Sequence, residues 1–101
     1  MQALDALGNS VRREILIALR EGPLAVQELA DRFPVSRPAI SRHVRVLEEA
    51  GLVEATRRGR QSVYAVRLQG FTTVREFLDT FWEVALQRLS ALAESADEQT
   101  R

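Results

Sequence analysis

Residues 36–66 read SRPAISRHVRVLEEAGLVEATRRGRQSVYAV, and this stretch decides the fold. Ser36 can cap a helix, and Pro38 is tolerated in its first turn. Gly51 suits the left-handed residue that closes a helix. The spacing therefore predicts a helix over 36–50. Two alternating segments follow, Leu52–Arg58 and Gln61–Leu68, with Arg58-Gly59-Arg60 at the turn, so 52–68 is predicted as a hairpin.

A rotation of about 100° per residue sorts the 36–50 helix into two sides. Ile40, Val44 and Leu47 fall together and are expected to face a core. Arg37, Pro38, Ser41, Arg42 and Arg45 gather on another side. Arginine can fork onto the O6 and N7 acceptors of guanine, and serine can bond a base or a phosphate. Small Ala39 permits close approach. His43, the sole histidine, falls far from the arginines and beside Leu47, which predicts a packed, hydrogen-bonded residue rather than a base reader or metal ligand. Glu48 and Glu49 are expected to hold neighbouring arginines, since carboxylates repel phosphate.

On the hairpin, Val53 and Ala55 alternate with Glu54, Thr56 and Arg58, while Tyr64, Val66 and Leu68 alternate with Val63, Ala65 and Arg67. Each strand is thus expected to have one buried and one exposed side. Arg57, Arg58, Arg60 and Gln61 surround the turn, placed to reach a phosphate backbone or minor groove with salt-sensitive affinity.

Upstream, Leu4–Leu7 is expected as a short first helix ending near Gly8. Asn9 or Ser10 can cap a second helix with Val11, Ile15, Leu16 and Leu19 at helical spacing, stopped by Gly22-Pro23. Leu24 can form a minimal strand. A third helix is predicted over 26–33, with Val26, Leu29, Ala30 and Phe33 inward and Pro34 as its breaker. Together with 36–50 it makes a helix-turn-helix, in which the start of the second helix meets base edges. The fold class is therefore α+β, mostly helical: a winged helix-turn-helix in the order α-α-α-α-β-β-α, forming a single domain over 1–101.

The last helix is predicted over 72–96, with a frayed tail from Asp97. Phe71, Val74, Phe77, Leu78, Phe81, Trp82, Ala85, Leu86, Leu89, Leu92 and Ala93 cover about half its circumference. A surface helix needs a stripe only a little over 100° wide. The excess predicts packing on its own domain and on a second copy, with Phe77, Phe81, Trp82, Ala85 and Leu89 at the dimer interface, joined by Leu4 and Leu7. A two-fold dimer sets its two reading helices about 34–36 Å apart and implies a palindromic operator in double-stranded DNA.

Composition agrees with this layout. The chain has 101 residues, 46% of them hydrophobic, a net charge of zero and no cysteine. That excludes disulfides and thiolate metal sites. Residues 32–67 hold eight arginines against three glutamates, a balance of +5, while residues 1–31 sum to −2 and residues 68–101 to −3. All fourteen basic residues are arginine, a usage first explained by a GC-rich genome but also suited to phosphate. No signal peptide or membrane span is evident, so a cytoplasmic location without membrane contact is expected. No Gly-rich phosphate loop or catalytic constellation points to an enzyme. A protein-interaction module without DNA binding is the alternative reading, resting on the apolar last helix and the zero net charge.

With the reading helix and wing in place, the chain resembles the ArsR-type winged-helix transcriptional repressors over nearly its whole length. LDALGNSVRREIL (4–16) is similar to the family's opening, with Arg12 at its usual arginine. GPLAVQELA (22–30) stands at the third helix, VSRPAISRHVRVLEEAGLV (35–53) is the most recognisable segment, and RRGRQSVYAV (57–66) matches the wing. TTVREFLDTFWEVALQRLSAL (72–92) is similar to the terminal dimerisation helix. The resemblance implies a homodimeric repressor on a promoter operator, with Arg37, Pro38, Ser41 and Arg42 at the family's DNA contacts. Arg45 is added by the rotation argument alone. Metal-sensing members carry a cysteine motif where this chain has LAVQELA, or histidines on the last helix, which here has none. Asp79 and Glu83 at i, i+4 read as surface carboxylates. No metal or cofactor is therefore implied, and the sequence names no small-molecule effector.

Overall fold

The structure is a computed structural model describing residues 2–99, with the side chains of 98 and 99 outside the description. Among the described residues, five helices, three strands and one 3-10 turn follow in order. These are α1 (Gln2–Ala6), α2 (Ser10–Leu19), β1 (Leu24–Ala25), α3 (Val26–Ala30), α4 (Arg37–Glu49), β2 (Val53–Arg58), β3 (Gln61–Val66), the 3-10 turn (Leu68–Phe71) and α5 (Thr72–Gln99).

Local chemistry sets most of these boundaries. Asn9 caps α2 by accepting from the Arg12 amide at 3.1 Å. The α3 start is held by the Glu28 carboxylate, which accepts from the Ala25 amide at 3.0 Å. Helix α3 stops at Ala30, three residues short of the expected Phe33. Pro34 disfavours helical geometry at the residue before it, and the Arg32 amide has already tightened onto the Leu29 carbonyl. Ser36 caps α4 through the Ala39 amide at 3.2 Å. Gly51, at φ +79°, closes it. The Gly51 amide donates to the Glu48 carbonyl and the Leu52 amide to the Leu47 carbonyl, both at 3.0 Å. Leu47 and Leu52 are both fully buried, so this ending satisfies the last carbonyls and packs an apolar pair at once.

The core is built from Ile15, Leu16 and Leu19 of α2, Leu29 of α3, the Ile40–Val44–Leu47 side of α4, and Leu52, Val53 and Val74. The inward face predicted for α4 is the observed one. Strand β1 adds to the hairpin, giving an antiparallel sheet ordered β1-β3-β2 with Ala25 opposite Val63 and Val53 opposite Val66.

The sheet corrects the expected alternation. Val53 is buried, but Ala55 on the same side is exposed, because that face leaves the body as it runs toward the turn. Val63, expected outside, is 5% exposed; it lies on the middle strand opposite Ala25 of β1, and α3 also packs on β3. Leu68, expected inside, is 78% exposed, because β3 ends at Val66 and the chain turns away. Helix α5 runs through Gln99, past both the predicted end and the expected fraying at Asp97; Thr100 and Arg101 lie outside the described residues. It also packs on its own domain far less than expected. Val74 is buried and Phe71 half-buried, but Phe77, Leu78, Phe81, Trp82, Leu86, Leu89 and Leu92 are exposed.

Candidate nucleic-acid interface

Helix α4 lies on the body through Ile40, Val44 and Leu47, which turns Arg37, Pro38, Ser41, Arg42 and Arg45 to the surface, all exposed. Arg57, Arg58, Arg60 and Gln61 are exposed at the far end of the hairpin. Arg58 pairs with Gln61 across a two-residue turn whose first residue, Gly59, has φ +63°. Glycine at that position matches a turn whose twist suits a hairpin.

A groove of about 270 Å³ joins the two elements. Arg37 and Ser41 of α4 stand on one wall and Arg60, Gln61 and Ser62 of the hairpin on another, with Gln27 of α3 beside them. Four of the nine residues predicted to bind DNA thus share one concavity. Pro38, Arg42, Arg45, Arg57 and Arg58 are exposed but do not line it. Gln27 and Ser62 were not foreseen. Ser62 follows directly on Gln61, whereas Gln27 reaches the groove only because β1 pairs with β3 and carries the start of α3 there.

The arginines divide by use. The side chains of Arg37, Arg42, Arg45, Arg57, Arg58 and Arg60 make no hydrogen bond or ion pair among the described residues. Arg12, Arg13 and Arg67 serve the fold. Arg12 Nε donates to the Ala6 carbonyl at 2.6 Å, and Arg13 donates to the Leu7 carbonyl at 2.8 Å. The two guanidinium groups thereby close the end of α1 onto α2. Arg67 donates to the Gly51 carbonyl at 3.4 Å, and Arg32 lines a separate hollow with Glu21 and Leu24. The +5 of the basic middle therefore overstates the interface by these two residues. Glu48 and Glu49 are exposed and form no ion pair among the described residues, which corrects the expectation that they hold arginines. By rotation they continue the Arg37–Ser41–Arg45 side toward the end of α4, so carboxylates mark where the basic face stops.

His43 is half-buried, with Nδ1 3.4 Å from an Arg12 guanidinium nitrogen. Burial first, then the charges of Arg12 and Arg42, hold its pKa below the ordinary 6.5. A neutral ring can accept from Arg12, so His43 is the packed, hydrogen-bonded residue expected and, through a partner that was not, links α4 to the α1–α2 junction. On α5, Asp79 lies 4.0 Å from Arg75, both exposed.

A helix-turn-helix whose second helix faces a basic hairpin across a groove defines a winged helix-turn-helix domain. A helix-turn-helix domain profile matches residues 7–56. The chain is 42% identical over 99 residues, 98% of its length and 92% of the relative's, to the HTH-type transcriptional regulator Rv2034 of Mycobacterium tuberculosis. It superposes with TM-score 0.76 and 41% identity on the crystal structure of a possible transcriptional regulator for arsenical resistance, covering 90% of this chain and 95% of that one. The solution structure of the homodimeric winged helix-turn-helix DNA-binding domain Mb0332 of Mycobacterium bovis, a possible ArsR-family regulator, matches at TM-score 0.65 and 29% identity over 77% and 76% of the two chains. The chain belongs to the ArsR family of winged helix-turn-helix transcriptional regulators.

Proposed function

We propose that the protein is a homodimeric, sequence-specific transcriptional repressor. In this reading the N-terminal half of α4 enters the major groove of a palindromic operator. Arg37, Pro38, Ser41, Arg42 and Arg45 meet bases and the nearest phosphates. The wing arginines Arg57, Arg58 and Arg60, with Gln61, follow the backbone or the adjacent minor groove. The observation that carries the proposal is the shared groove of Arg37, Ser41, Arg60 and Gln61, flanked by unpaired guanidinium groups. A dimer seated across a promoter blocks polymerase by occupancy, so repression needs no further surface. The exposed face of α5 supplies the partner contact for a second copy, and the M. bovis neighbour is homodimeric. The cytoplasm is the compartment such a regulator needs, and no described helix is long and apolar enough to cross a membrane.

The competing reading, a protein-interaction module, has the apolar face of α5 in its favour but leaves the arginine convergence unused. A mobility-shift titration of the full chain decides between them. The expected result is binding to intergenic DNA upstream of its own gene at least about a thousandfold tighter than to random DNA of equal length. Equal affinity for both duplexes would overturn the repressor reading.

A further inference from the structure

The back of the domain carries an apolar groove that the DNA-binding reading does not use. About 250 Å³ is enclosed by Leu16 and Ile17 of α2, Val66 of β3, and Leu68 and Phe71 of the 3-10 turn, with Arg20 at the rim. A neighbouring hollow of about 300 Å³ extends it and shares Arg20, Val66 and Leu68. Ile17 is 47% exposed and Leu68 78%, so two large apolar side chains stand open to water beside it.

We infer that this groove receives the distal half of α5 from a second copy of the chain. The inference rests on the homodimer reading and specifies where each helix ends up. Helix α5 is 28 residues, about 42 Å at 1.5 Å per residue. Its main contacts with its own body are to α1 and the 3-10 turn, at its beginning, where Val74 joins the core. The remainder projects, which gives the chain a long axis of 70 Å against 26 and 22 Å. A projecting helix cannot fold back onto its own groove without breaking, but a two-fold mate can reach it. A two-fold axis crossing the most aromatic part of α5, near Phe81 and Trp82, sets the two helices antiparallel. Residues beyond Leu89 of one copy then lie level with Val74 and Phe71 of the other, where the groove begins. The two exposed surfaces are continuous, since Phe71 lines the groove and leads directly into α5. Their charges are complementary. Arg20 is the groove's only charged residue and makes no ion pair among the described residues, while distal α5 offers the exposed carboxylate of Glu94. Because Val66 belongs to β3, the seated helix would also brace the strand that carries the wing.

Sedimentation equilibrium on the full chain tests this, with circular dichroism confirming the fold of each variant. Leu68→Glu is expected to weaken dimerisation at least tenfold at unchanged helical signal, with Ile17→Glu as a second probe if Leu68→Glu misfolds. Arg20→Glu should weaken it several-fold, and adding Glu94→Arg should restore it. If Leu68→Glu, Ile17→Glu and Arg20→Glu all dimerise like the parent while Phe81→Glu does not, the groove assignment is overturned and the homodimer stands. A parent chain that sediments as a monomer at 100 μM overturns the homodimer and the groove assignment together.

Discussion

At the scale of single residues, the arginines divide between side chains tied into the fold and side chains left exposed without a partner among the described residues. Arg12 and His43 belong to the fold. The guanidinium spans the Ala6 carbonyl and the His43 ring, so three helices meet at one side chain. Rotation alone separated His43 from the basic side of α4, because an angle around a helix depends only on residue spacing. Its partner could not be read that way, since Arg12 is 31 positions distant. The contact has a pH consequence. The native pKa of His43 is lowered, so as pH falls below about 6.5 the unfolded chain takes up the proton first. Stability contributed by the neutral ring is therefore present above that value and lost below it. Chemical denaturation at pH 8 and pH 5.5 should show a larger acid loss for the parent than for His43→Gln. Equal losses would mean that the ring does not sense its buried, cationic surroundings.

At the scale of elements, boundaries written in local chemistry were legible and those set across the chain were not. Ser36, Pro38 and Gly51 mark α4 through caps whose signals lie within a few residues. The turn at Gly59 is legible for the same reason. Val63 is buried on a strand that β1 and α3, more than thirty residues earlier, pack against, and alternation within the hairpin carries no trace of it. Gly70 is a sharper case. It lies in the 3-10 turn, where a Cβ would stand 1.8 Å from the Gly51 carbonyl oxygen and 2.6 Å from its carbon. The obstacle is backbone at the closing turn of α4, so it cannot swing aside. Gly70→Ala should cost about 1–3 kcal/mol or more, as overpacking does. Gly8→Ala, whose nearest obstacle is the Asp5 carbonyl at 3.2 Å, should cost less. Thermal melts of the two variants give the ranking, and a Gly70→Ala melt at or above that of Gly8→Ala would contradict the close approach.

At the scale of the whole molecule, zero net charge conceals a segregated one. The acidic residues lie mostly in the first and last thirds of the chain, while α4 and the wing keep six unpaired arginines. That asymmetry was visible in the sequence. The convergence of α4 and the wing on one groove was not, because it depends on the packing of α4 and the placement of the sheet. The segregation makes a quantitative demand on DNA binding. Each phosphate contact contributes about −0.9 to the slope of log K against log salt, so three wing arginines in each of two copies can contribute up to about −5. Replacing Arg57, Arg58 and Arg60 together by alanine should flatten the slope by up to that amount and weaken operator and random DNA nearly alike. Arg42→Ala is the contrast: it should cost about 1–3 kcal/mol on the operator, relax preference at one base pair, and change the slope by no more than about 1 per copy. If the wing variant instead loses operator preference at an unchanged slope, the wing reads bases and the division of labour between the two elements is reversed.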